Sequence, residues 1–310
     1  MIKMVYGRHP VESLERPRKF RDTRPSGHYD LVIVSPVHQS PDVVHCIADT
    51  LKKYVKGRFL WVAHCNTHEF LDETMLPDFA WIVRDTIVTR AYTISLTHAV
   101  ARCFEFASQV TYTNVLIMTS GSSFFREYTV PTYPRIGLFS HEILLKDVRL
   151  RHNEPIPASE LGKCSEYLAT QECPPWQYQN FDKDTELHTL FHARGFRWIL
   201  GSPLSGLMFP SAVADQLRDD LFTLESNPDT NIPDYACEEI VFATYAYNYA
   251  VCHGLHIGLS ESIIHWGERY VVTIDQIEKY RMCAIAFPGL GHVVCRLPEH
   301  VDKVRTYLRF

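Results

Sequence analysis

Apolar positions along the chain first gather at Asp30-Leu-Val-Ile-Val-Ser35. A continuous apolar run, rather than an alternation, is the pattern of a strand buried on both faces of a parallel sheet. Pro36, Val37 and His38 are expected to turn the chain, with Ser40 capping a helix that has Pro41 at its first position. Val43, Ile47 and Leu51 then fall on one helical stripe. Arg58-Phe-Leu-Trp-Val-Ala63 and Phe79-Ala-Trp-Ile-Val83 predict two more strands. Residues 90–108 read as a helix, with Ile94, Ala101 and Phe104 among its apolar positions, and Asn114-Val-Leu-Ile-Met118 as a fourth strand. This order predicts an α/β fold with a mostly parallel central sheet, flanking helices and right-handed crossovers. Such sheets bind ligands beyond the carboxyl ends of their strands. Here those ends carry His38, His64 to Asn66, and Ser120 to Ser123.

Periodicity weakens over residues 124–195, where Pro131, Pro134, Pro155, Pro157, Pro174 and Pro175 accompany many aromatics. This region reads as long loops, with a helix near 184–194. Long loops over a rigid sheet are where substrate contacts concentrate. Regular structure resumes at Arg197-Trp-Ile-Leu200, then Gly201-Ser202, a strand through Met208 and a helix over about 211–222. In the stretch Asn231 to Asn248, Pro233 and Asp234 predict the next helix start. Ile240, Ala243, Tyr247 and Val251 give that helix an apolar face, and Gly254 ends it. Glu238 and Glu239 sit in its first turn or two, either complementing the helix dipole or offering a general base. Short strands at Cys283–Phe287 and His292–Cys295 and a helix from about 299 complete the chain. Residues 1–28 read as a polar arm and 29–310 as one domain, with no internal repeat or linker.

Composition narrows the function classes. Hydrophobic residues at 46% and charged residues at 22% are ordinary for a globular protein. The net charge of −5 argues against a general nucleic-acid binder. Nine cysteines, without a C-x-x-C pair, read as free thiols in a reducing compartment. Without a secretory signal or a run of 18 apolar residues, the expected location is cytoplasmic. The basic run from Arg16 to Arg24 is either a solvated arm or a contact with an acidic membrane surface or partner.

Dinucleotide, P-loop and α/β-hydrolase motifs are all missing. His64, Cys65 and His68 match no standard zinc spacing. Asp182-Lys183-Asp184 spells D-x-D but follows Trp-Gln-Tyr-Gln-Asn-Phe, not a buried strand, so solvated loop charge is the better reading.

Taken in order, these pieces resemble the core-2/I-branching N-acetylglucosaminyltransferase and peptide xylosyltransferase family over roughly residues 30–305. The family's first strand and helix, with a histidine just after the strand, resemble Leu31 to Leu51 with His38. Its strand ending His-Val-Asp resembles Val62 to Asn66, with Asn66 in place of the acid. Its Gly-x-Asp-Phe-Pro strand end resembles Met118 to Phe125, where Ser123 replaces the acid and Phe125 the proline. Its Gly-Ser block resembles Gly201 to Val213 without the arginine, and its later tryptophan resembles Trp266. Its Pro-Asp-Glu-x-x-x-Ala-Thr resembles the stretch through Thr244, with four residues inserted after Pro233-Asp234; this sets Glu239 on the family's catalytic base. Its Arg-x-x-Cys and following Lys resemble Arg281-Met-Cys283 and Lys303, which in the family neutralise the donor diphosphate in place of a metal.

The resemblance implies a GT-A fold and inverting, metal-independent transfer of a sugar, expected from a UDP-sugar, to a glycan hydroxyl. Such displacement needs one base for the acceptor and positive charge where the diphosphate leaves. Glu239, with Glu238 beside it, is the expected base, and Glu142 and Asp234 are the next acids to consider. His38, Asn66, Ser122, Arg281 and Lys303 are expected on the nucleotide side, and Trp176 and Tyr178 either stack on an acceptor sugar or pack in the core. No metal or other cofactor is expected. Two other classes remain open: a metal-dependent transferase or hydrolase using Asp182 and Asp184, and a non-catalytic carbohydrate-binding protein.

Overall fold

The computed structural model describes residues 25–37, 41–66, 71–85, 94–119, 122–124, 127–138, 146–147, 184–202, 204–226, 237–259, 262–263, 274–275, 278 and 290–292. In chain order the strands are β1 (His28–Val37), β2 (Val55–Lys56), β3 (Phe59–Cys65), β4 (Ala80–Val83), β5 (Thr111–Ile117), β6 (Ser122–Phe124) and β7 (Tyr128–Thr129). They continue with β8 (Ile136–Leu138), β9 (Lys146–Asp147), β10 (Trp198–Ile199), β11 (Met208–Pro210), β12 (Ile257–Leu259), β13 (Ser262–Ile263) and β14 (Leu290–His292). The helices are α1 (Pro41–Tyr54), α2 (Ile94–Ala107), α3 (Thr185–Ala193), α4 (Ser211–Ser226) and α5 (Glu238–His253).

Seven strands form the central sheet in the order β12-β8-β11-β5-β1-β3-β4. β1 pairs in parallel with β3 and β5, and β3 with β4. β11 runs antiparallel to both β5 and β8, while β12 is parallel to β8. The architecture is therefore α/β with a mostly parallel sheet, as the strand–helix alternation predicts.

The unbroken apolar runs are explained by the layers on either side. Leu31, Ile33, Trp61, Ala63 and Leu116 point to the face covered by α1. Val32, Val34, Leu60, Val62, Val115 and Ile117 point to the face covered by α2, α4 and α5. Both faces are dry, so neither can be polar, and the period-2 signal disappears. α5 is apolar nearly all round, with Ile240, Val241, Phe242, Ala243, Tyr245, Ala246 and Ala250 buried, as a helix enclosed by the core requires. Gly254 ends it in the left-handed conformation, at φ 62°.

The structure departs from the sequence reading in several places. Pro36 and Val37 belong to β1 rather than to a turn, because they pair with His64 and Cys65 of β3. β8 lies inside the stretch read as loops. It is too short to show a period, and the side chain of Asn114 on β5 holds the chain leading into it. That side chain accepts from the Arg135 N–H (2.9 Å) and donates to the Tyr133 carbonyl (2.8 Å). β10 falls within residues 197–200, where regular structure is expected to resume, and pairs with β9. The helix expected from Pro233-Asp234 begins at Glu238, with Cys237 in the cap position and no side-chain capping bond. Val251, assigned to the apolar face, is 52% exposed, because α5 leaves the core in its last turn.

Candidate functional site

From β1 the sheet grows one way through β3 and β4 and the other way through β5. The order reverses between β1 and β5, and ligands of open α/β sheets bind in the crevice at the carboxyl ends of two such strands. The floor of that crevice is tightly tied. The Asn66 N–H donates to the Val37 carbonyl (3.0 Å) and the Met118 N–H to that of Val34 (2.9 Å). Beyond β5, the Ser122 N–H returns to the Thr119 carbonyl (2.9 Å). The Ser122 hydroxyl lies 3.1 Å from that of Thr119 and 2.6 Å from that of Ser205. Ser205 belongs to the turn before β11, where Gly206 takes φ 88° and its N–H donates to the Ile117 carbonyl (2.7 Å). Ser122 is wholly buried, so its hydroxyl is part of the floor.

The first turn of α5 reaches the same edge of the sheet. The Cys237 thiol lies 3.6 Å from the Thr97 hydroxyl, in the first turn of α2, the helix that follows β4. The Ser202 N–H donates to the Glu239 carbonyl (2.8 Å). Glu238 is 2% exposed, and its Oε2 has no hydrogen-bond partner among the described residues. Burial pushes its carboxyl up to about 8, opposed by a backbone hydrogen bond and reinforced by the neighbouring Glu239 charge. Burial also pushes the Cys237 thiol up to about 12, with the Glu238 charge adding to it. Glu239, one residue on, is half-buried.

α5 is held against the segment Arg197–Ser202 by two polar side chains. Asn248 Oδ1 accepts from the N–H groups of Arg197 (3.0 Å) and Trp198 (3.1 Å). Its Nδ2 donates to the carbonyls of Trp198 (2.6 Å) and Thr244 (2.8 Å). The Thr244 hydroxyl accepts from the Leu200 N–H (3.0 Å) and donates to the Leu200 carbonyl (3.2 Å).

A second charged group gathers beyond the end of β4. Asp85 Oδ2 lies 3.2 Å from His98 Nε2, 3.4 Å from Arg102 Nε and 3.7 Å from His64 Nε2. Arg84, one residue earlier, grips the buried Glu73 through two hydrogen bonds of 3.0 and 2.9 Å. The sequence reading passed over Asp85, Thr97, His98 and Arg102. The available signal was the i, i+4 spacing of His98 and Arg102 on a helix whose preceding strand is followed by Asp85.

Of the expected site residues, the structure brings Ser122, Asn66, Glu238 and Glu239 to one edge of the sheet. Asp184 is not a solvated loop charge. It is 3% exposed and caps α3, accepting from the Leu187 N–H (3.0 Å). His64 and Cys65 are wholly buried in β3. His38, His68, Glu142, Trp176, Tyr178, Asp182, Asp234, Trp266, Arg281 and Lys303 lie outside the described residues, as does the basic run 16–24. No described helix is long and apolar enough to cross a membrane. Comparison of the sequence with protein-family models and with curated proteins gives no match.

Proposed function

We propose that the protein is an inverting, metal-independent glycosyltransferase with a GT-A domain, moving a sugar from a UDP-sugar to a hydroxyl of a glycan acceptor. The observation that carries this reading is Glu239. It is half-buried in the first turn of α5, next to Cys237, whose thiol lies 3.6 Å from the Thr97 hydroxyl at the start of α2. There Glu239 takes the proton of the acceptor hydroxyl while that oxygen bonds to the anomeric carbon. The bond from the anomeric carbon to the diphosphate oxygen breaks on the opposite face, and the nucleoside diphosphate leaves with the bonding electrons. Burial keeps a proton on Glu238 up to about pH 8, so Glu239 is the member of the pair placed to accept one from outside.

Two further features support metal-independent handling of the diphosphate. The turn after β5 carries the hydroxyls of Thr119 and Ser122, bonded to each other, where metal-dependent transferases would need carboxylates, and Asp184 caps α3. The C-terminal part of the chain returns to this edge, since β14 pairs antiparallel with β6 and sets His292 opposite Ser122. Arg281 and Lys303, from the same part of the sequence, are the proposed diphosphate partners.

The test is a thermal-shift panel of nucleotides and nucleotide sugars, with and without Mn²⁺, followed by transfer assays on Glu239→Gln. UDP should raise the midpoint without metal, and the variant should bind UDP yet lose transfer. A strict Mn²⁺ requirement, or near-normal turnover by Glu239→Gln, would overturn the reading. Binding of sugars without nucleotides would point instead to a non-catalytic carbohydrate-binding protein.

A further inference from the structure

The contact between α5 and Arg197–Ser202 has matching repeats. Every second residue of an extended segment advances about 6.6 Å, and every fourth residue of a helix about 6 Å. Trp198 and Leu200 therefore meet Asn248 and Thr244 in turn, with the segment running against the helix direction, and the Ser202 N–H reaches the Glu239 carbonyl, five residues before Thr244. The other edge of the segment pairs with β9, so Asn248 and Thr244 stand where a neighbouring strand would be. A primary amide is suited to that place, because like a peptide group it both donates and accepts. Thr244 is wholly buried and Asn248 is 4% exposed, so no water replaces either partner.

This contact sets the rotation of the helix as well as its height. Thr244 and Asn248 lie about 40° apart around the axis and define one line. Measured from Thr244, Glu238 lies about 120° to one side and Glu239 about 140° to the other. A turn of the helix by one residue, about 100°, would move one carboxyl into the direction now held by the other and would bring Ala243 and Tyr247, or Tyr245 and Tyr249, to the polar line.

We propose that Thr244 and Asn248 are positioning residues that lock the rotation of α5, and so determine that Glu238 lies in the core while Glu239 stays half-buried. The catalytic consequence rests on the transferase reading above; the rotational lock does not. The two are separated by measuring the Glu238 titration directly, by carboxyl NMR on the full chain with isotopically labelled glutamate. Glu238→Gln identifies the signal.

In the wild type one carboxyl should titrate near pH 8. In Thr244→Val, which keeps the shape without the hydroxyl, and in Asn248→Ala, that titration should move by at least about one unit toward the ordinary carboxylate range. Thr244→Ser should retain it. In transfer assays the first two variants should lose about tenfold or more in kcat with the donor KM within about twofold, while Thr244→Ser stays close to wild type. Folded Thr244→Val or Asn248→Ala with an unmoved titration would overturn the lock. Should Asn248→Ala not fold, Thr244→Val, being nearly isosteric, decides the matter alone. A wild type that transfers no sugar but shows the expected titration shifts would sink the transferase reading and leave the lock standing.

Discussion

Two carboxyl groups on neighbouring helices are buried to a similar degree and treated in opposite ways. Asp220, on α4, is 7% exposed and receives two N–H groups from Arg194, one of them at 2.7 Å, and the hydroxyl of Tyr245. Burial and the bond to Asp220 together push the Tyr245 hydroxyl up, and the same carboxylate raises Arg194. Glu238, on α5, is 2% exposed and has a carboxyl oxygen with no donor among the described residues. Buried polar groups are nearly always satisfied, and a carboxylate stripped of water without compensation keeps its proton instead. The Asp220 group joins the end of α3 to α4 and α5, which is a structural task. The unsatisfied carboxyl stands at the sheet edge where ligands of such folds bind, and perturbed groups in that setting are functional candidates. The difference teaches that burial alone does not mark a site; Asp220 has a guanidinium and a hydroxyl as side-chain donors, whereas Glu238 has a backbone hydrogen bond and, among the described residues, an Oε2 without a partner.

The largest expected effect lies in catalysis. Glu239→Gln should lower the transfer rate by about 10²–10⁴ while UDP still binds, whereas Asp220 variants that remain folded should keep turnover. Single-turnover assays with saturating donor check this, and loss of rate in the folded Asp220 variants alone would reverse the roles assigned here.

Next in size is stability. Asp220→Ala removes the acceptor shared by Arg194 and Tyr245 and should cost about 2–4 kcal/mol, read from urea midpoints at constant slope. An unchanged midpoint would mean that the three-residue contact contributes nothing net.

A third effect depends on pH. The Glu238 carboxyl is raised from 4.5 to about 8 on folding, so between these values the native state binds the extra proton. Stability should therefore fall as pH rises from about 4.5 to 8, by an amount on the order of a few kcal/mol, and level off above. Glu238→Gln should flatten that slope and gain stability relative to wild type at pH 8.5. A wild-type curve that rises over the same interval, with no change in the variant, would contradict the buried protonated carboxyl.

The smallest effect should come from the crevice floor. Ser122→Ala loses the 2.6 Å contact with Ser205 and should cost about 0.5–1.5 kcal/mol with turnover reduced modestly. Complete loss of activity in a folded Ser122→Ala would make that hydroxyl a direct participant in the chemistry.

The strands of the parallel half were legible because each is buried on both faces, and an apolar run bounded by turns records that directly. β1, β3, β4 and β5 all fall within a few residues of their expected positions. The other half was not legible. β8 has three residues and follows Pro131 and Pro134, and its place depends on the Asn114 side chain, some twenty residues earlier in the chain. At the candidate site the sequence singled out Glu238 and Glu239 as a pair, and only the family resemblance, with its four-residue insertion, favoured Glu239 over its neighbour. Adjacent residues have the same local environment in one dimension. Their separation into a buried and a half-buried group comes from how α5 is turned, and the side chains that hold it, Thr244 and Asn248, look in sequence like ordinary small polar residues on an apolar helix.

The sequence by itself determined the α/β class, most strands of the parallel half and the two adjacent acids at the start of a core helix. These follow from apolar runs, turn residues and spacing, which are local properties. Only the tertiary structure decided that Asp184 caps a helix, that Asp85 gathers two histidines and an arginine, and that Glu238 is shut into the core beside Glu239. Each of those outcomes depends on burial and on partners distant in the chain. The charge and proton affinity of a carboxyl are set by the water and donors around it, and those neighbours are assembled only when the chain folds.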